Sequence, residues 1–99
     1  MATPTYKFWI SKPTEAWYQL SEEEQNKHSA QMQEALHKVG GKTIIQCTPV
    51  WSTEQWLLCG VEKFPSIEAV QSHAELVYAL DHFRYFEGQS MLGTQYPPA

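Results

Sequence analysis

Ser21-Glu22-Glu23-Glu24 and Gly40-Gly41 bracket one stretch of chain and leave it little choice but to be a helix. The Ser21 hydroxyl can accept from the amide of residue 24 while the Glu24 carboxylate reaches back to the Ser21 amide, a reciprocal cap. Beyond it Met32, Ala35, Leu36 and Val39 recur at helical spacing. A glycine pair is the usual left-handed stop. The pattern predicts a helix over about Glu22 to Lys38. Its three leading acids lie at the positive end of the helix dipole, so they read as a capping device rather than a metal site.

The remaining segments arrange themselves around that helix. Thr5 to Ser11 alternates as a strand, with Tyr6, Phe8 and Ile10 on one face and Lys7, Trp9 and Ser11 on the other. The uniformly apolar set is assigned to a helix-covered core, and Trp9 to a pocket. Lys12-Pro13-Thr14 ends the strand. Thr43 to Thr48 and Trp56 to Phe64 read as a hairpin turning at Ser52-Thr53-Glu54. Pro65-Ser66 opens a second helix that runs through Ile67, Val70, Ala74, Val77 and Tyr78 to about Leu80-Asp81. A weaker strand covers Tyr85 to Leu92, and residues 94–99 form an extended tail. The order β-α-β-β-α-β predicts an α+β, ferredoxin-like fold: a four-stranded antiparallel sheet with two helices on one face. Ninety-nine residues sustain one core, so a single domain is expected over 1–99, with its core in 5–93.

Composition narrows the function classes. Eleven acids against seven bases leave a net charge of −4 and no basic stripe, which argues against nucleic acid as a partner. No apolar run approaches the length of a membrane span. The first residues carry neither a basic leader nor an apolar segment of the secretory kind, so a cytoplasmic protein is expected. Cys47 and Cys59 have no CxxC or paired-histidine spacing and read as free, buried thiols. Aromatic residues at 13% exceed what a small core needs, and aromatics line pockets and interfaces. The uncovered second face of such a sheet is an association surface, and a homodimer is the expected partnership.

Tyr6-Lys7-Phe8-Trp9-Ile10-Ser11-Lys12-Pro13, Ala16-Trp17, Leu20-Ser21-Glu22-Glu23-Glu24 and Phe64-Pro65-Ser66-Ile67-Glu68-Ala69-Val70 together resemble the dimeric α/β-barrel superfamily, and most of all a branch of short members. Muconolactone isomerases, cofactor-free quinone-forming monooxygenases, stress-response barrel proteins and olivetolic acid cyclase belong to that superfamily. The resemblance covers residues 5–93 and implies a homodimer with an apolar pocket between the sheet and helices of each subunit. Phe64 to Gln71 is similar to the start of the second helix in the plant cyclase, whose pocket tyrosine then falls at His73. The catalytic histidine of that cyclase has no counterpart here, since Leu76 and Ala79 occupy its stretch. The histidine and asparagine of heme-degrading members are likewise missing.

Four histidines remain to carry acid/base chemistry. His28 shares the apolar stripe of Met32, Ala35 and Val39, where a pocket histidine and a hydrogen-bonded core histidine both fit. His37 lies half a turn away and reads as solvated. His73 falls inside the wide apolar arc of the second helix, either at a pocket or packed under the last strand. His82 precedes the final strand beside Asp81 and Arg84, as a pocket rim or as an exposed turn with one salt bridge. His73 and His82 are the candidate catalytic residues. Lys7, Trp9, His28, Trp56, Arg84 and Tyr85 are the candidate substrate contacts, with Trp51 and Trp56 also suited to a dimer contact.

No GxGxxG, phosphate loop or metal-ligand cluster occurs, so an enzyme here is expected to need no cofactor and no metal. Two readings follow. The first is a cofactor-independent isomerase, cyclase or monooxygenase that binds a planar aromatic or polyketide-like small molecule and uses histidine as its base. The second is a non-catalytic homodimeric binding or stress-response module whose interior is a filled core. A cavity of roughly 300 Å³ or more with convergent polar side chains separates them.

Overall fold

A computed structural model describes residues 2–98; Met1 and Ala99, the two ends of the expected 1–99 domain, lie outside the described residues. Eight elements follow in order: β1 (Thr5–Pro13), α1 (Glu15–Tyr18), α2 (Glu22–Lys38), β2 (Lys42–Cys47), β3 (Leu58–Phe64), α3 (Ile67–Ala79), α4 (His82–Tyr85) and β4 (Phe86–Gly93). The sheet is antiparallel with strand order β2-β3-β1-β4. Setting aside the single-turn helices α1 and α4, the order is β-α-β-β-α-β, the ferredoxin-like α+β arrangement. No helix among the described residues is long and apolar enough to cross a membrane.

The caps of α2 form as their chemistry dictates. Ser21 Oγ accepts from the Glu24 amide at 3.1 Å, and Glu24 accepts from the Ser21 amide at 3.0 Å. At the other end Gly40 (φ 79°) donates to the His37 carbonyl and Gly41 to the Leu36 carbonyl, a Schellman closure that requires a left-handed residue at position 40. In α3, Ser66 caps the amide of Ala69. Leu36, Phe64 and Val70 form the buried apolar cluster where α2, α3 and β3 meet.

Three sequence expectations are corrected. Tyr6, Phe8 and Ile10 do not face the helices. Thr5 is buried and pairs with the fully buried Phe64, which commits the odd-numbered residues of β1 to the helix side. Phe8 is 43% exposed on the opposite, uncovered face together with Ile45 and Met91. Alternation identifies which residues share a face, not which face the helices cover. The cysteines are free, but Cys47 is exposed and Cys59 half-buried, because they are cross-strand partners on that uncovered face. The last strand begins at Phe86 rather than Tyr85, because His82–Tyr85 forms a single helical turn, α4, as Glu15–Tyr18 does after Thr14.

Candidate functional site

Because the odd face of β1 is only partly apolar, α2 and α3 do not seal onto it, and a cavity of about 500 Å³ remains between sheet and helices. Period-two alternation sends Lys7 and Trp9 of β1 and Glu62 of β3 into it. Helical spacing brings His28, Met32 and Leu36 from α2, and His73 and Val77 from α3. His82 of α4 and Phe86 of β4 close one end. Gly60 pairs with Trp9 across β1–β3; a Cβ at Gly60 would stand 2.8 Å from Cζ2 of the indole. The missing side chain is the bed on which Trp9 lies.

His28 and His82 meet although 54 residues separate them: His28 Nε2 and His82 Nδ1 are 2.9 Å apart. The rings are parallel to within 5°, with centres 5.2 Å apart. That separation exceeds the N···N distance by about two ring radii, so the rings lie end to end in one plane rather than face to face. The junction of α1 and α4 holds them there. Thr14 donates from its amide to the Tyr85 carbonyl at 2.8 Å and from its hydroxyl to the Arg84 carbonyl at 2.6 Å. Gln25 Nε2 donates to the Trp17 carbonyl at 3.0 Å. Trp17 then packs edge-on against His28 and at a tilt against Phe86, whose ring stacks on His82 at 4.9 Å.

The electrostatics favour neutral imidazoles. Burial, followed by the charges of His28, Lys7 and His73, pushes His82 down to about 4. Burial, followed by Lys7, pushes His73 down to about 4. Burial also lowers His28, against the opposing pull of Asp81. Glu62 is raised by burial, with Lys7 working against the shift. Since one hydrogen occupies the line between His28 Nε2 and His82 Nδ1, the bonded pair accommodates at most one added proton. His73 is 3% exposed and packs on Phe64, and its Nδ1 is buried without a partner, as is Nε1 of Trp9. A buried unpaired nitrogen costs stability, so it marks a place that packing alone does not explain.

Of the residues singled out in the sequence, His73, His82, His28, Lys7 and Trp9 converge on the cavity. Trp56, Arg84 and Tyr85 do not. Trp56 lies in the connection between β2 and β3. Arg84 points outward to Asp81 at 3.7 Å, with both side chains largely exposed. Tyr85 packs edge-on against His28 from outside. The sequence reading passed over Glu62, Trp17 and Phe86. Glu62 is the cross-strand partner of Lys7, and alternation of β3 was the signal that could have placed it. Trp17 and Phe86 carried no periodic signal. Among the described residues no three His, Cys, Asp or Glu side chains group so as to hold a metal ion.

No protein-family model matches the chain, and no curated protein matches it.

Proposed function

We propose that the chain is a small cofactor-independent enzyme. It binds a planar aromatic or polyketide-like molecule between sheet and helices and moves a proton with His82. The observation that carries this reading is the end-to-end His28–His82 pair at the wall of a cavity of about 500 Å³. A base must be unprotonated at its working pH, and the depressed pKa values keep both His82 and His73 so near neutrality. In one tautomer His82 Nδ1–H donates to His28 Nε2 and leaves His82 Nε2 as the base. Taking a proton from an acidic C–H or phenol there lets the Nδ1 hydrogen pass to His28 Nε2. His28 then releases a proton from its own Nδ1, and the reverse sequence reprotonates the product. Abstraction followed by return is the common step of isomerase and cyclase chemistry, and the carbanion it forms is what a cofactor-free monooxygenase offers to oxygen.

The dimeric α/β-barrel superfamily is the family proposal that goes with this reading, supported by the ferredoxin-like sheet order. Homodimerisation through the uncovered sheet face belongs to it as well: Phe8, Ile45 and Met91 are 43%, 53% and 67% exposed there, an apolar cost that a second copy removes. The cavity volume favours the enzyme over a non-catalytic module with a filled interior. The test is hydrogen–deuterium exchange at the acidic C–H of a planar ketone, 2-tetralone, in D₂O, comparing the wild type with His82→Gln.

A further inference from the structure

Lys7 and Glu62 stand opposite each other in the β1–β3 ladder, and both line the cavity. Opposite charges at such a cross-strand position commonly pair. Here the ion pairs among the described residues are Lys12–Glu87 and Arg84–Asp81, and Lys7 takes part in neither. Nor does its side chain enter any of the side-chain hydrogen bonds among those residues. Glu87, the other acid at the cavity, is held by Lys12 at 3.0 Å. Glu62 stands opposite Lys7 in the ladder and feels its charge, but the two side chains do not close an ion pair. The field of Lys7 reaches His73 and His82, on two different helices. A cation at the wall of a cavity, in neither a salt bridge nor a side-chain hydrogen bond, is a recognition element for a negative charge.

We propose that the cavity takes a planar organic anion whose charged oxygen is the direct ion-pair partner Lys7 lacks, with its ring against Trp9 and Met32. This rests on the proposed enzyme reading and names the substrate class of the same site. It has a second consequence. An anion at Lys7 offsets the share of the downward shift of His73 and His82 that Lys7 causes, so binding moves both rings toward protonation while burial still opposes it. The charges acting on those two rings are Lys7 of the sheet and, on His82, also His28 of α2 and His73 of α3; Glu62 and Glu87 line the same cavity, and Asp81 at the start of α4 acts on His28.

The experiment titrates 2-naphthoate and its neutral isostere 2-naphthamide into the full ¹⁵N-labelled chain, following the imidazole resonances. Calorimetry in two buffers of different ionisation enthalpy counts the protons exchanged. The expected result is a preference of about tenfold or more for the carboxylate, with proton uptake. Lys7→Gln abolishes the preference while amide binding persists, and Lys7→Arg keeps it. Equal binding of the two probes, binding of neither, or a preference that survives Lys7→Gln overturns the proposal. The 2-tetralone exchange assay reports separately on the catalytic reading. Anion preference without exchange sinks catalysis and leaves this inference standing; exchange without anion preference does the reverse.

Discussion

His28 Nε2 and His82 Nδ1 share one hydrogen across 2.9 Å, in rings coplanar to within 5°. Two cationic rings would oppose two N–H groups on that line, so the pair protonates once before it separates. In ¹⁵N spectra between pH 8 and pH 4 the two imidazoles are expected to move together in one step. His28→Ala removes a charge that lowers His82 and opens its surroundings to water, so His82 then titrates higher than in the wild type. The same shifts fix the pH dependence of stability. His73 and His82 sit near 4 when folded, against an ordinary 6.5. Between those values the unfolded chain binds more protons, so the stability they contribute is present above about 6.5 and lost as pH falls toward 4. Urea midpoints at pH 7.5 and pH 5 check the sign; a higher midpoint at pH 5 contradicts it.

Gly60 and Trp9 make a second sensitive contact. A methyl group at position 60 would lie 2.7 Å from the Ile45 carbonyl oxygen and 2.8 Å from the indole, and the backbone oxygen has no room to yield. Gly60→Ala is expected to cost about 1–3 kcal/mol in a urea melt, the usual range for overpacking. It should also shift the Trp9 indole N–H resonance. An unchanged resonance would mean the indole does not lie over β3.

His73 gives a test in which function and stability part. Its Nδ1 is buried without a partner, and removing an unpaired buried polar atom is neutral or favourable. His73→Leu is expected to leave the fold as stable or to gain about 1 kcal/mol, while changing the affinity for a planar ligand in the cavity it lines. A loss of stability by chemical melt would show that the ring has a structural hydrogen bond instead.

The uncovered sheet face is expected to hold two copies together. Phe8→Glu places a charge at a position 43% exposed in the single chain, on the sheet face opposite the cavity. The variant should fold and run as a monomer in sedimentation equilibrium where the wild type runs as a dimer. A monomeric wild type would remove this part of the account.

Legibility in the sequence followed the range of the interactions. The ends of α2 were readable because Ser21, Glu24 and Gly40 satisfy neighbouring backbone groups within a few residues. The element order was readable for the same reason, each element carrying its own period and punctuation. Which face of β1 meets the helices was not, since the Thr5–Phe64 pairing that decides it joins distant segments. Lys7, Trp9, His28, His73 and His82 were each visible as residue types that need a partner or a pocket. Their convergence was not visible, because it depends on how distant elements pack, His28 and His82 in particular being brought together where Thr14 and Gln25 tie α1, α2 and α4. Arg84 looked like a ligand-binding fork by type alone, and its place in the fold turns it toward Asp81 and solvent.

The most direct test of the central claim is the rate of deuterium incorporation at the acidic carbon of 2-tetralone, followed by proton NMR in D₂O at pH 7. The His28–His82 pair predicts exchange faster than in buffer alone. That acceleration should fall at least about tenfold in His82→Gln, and less steeply in His28→Gln, where His82 keeps its base but loses the ring that holds its tautomer. Exchange no faster than in buffer, or as fast in His82→Gln as in the wild type, would contradict the assignment of His82 as the base.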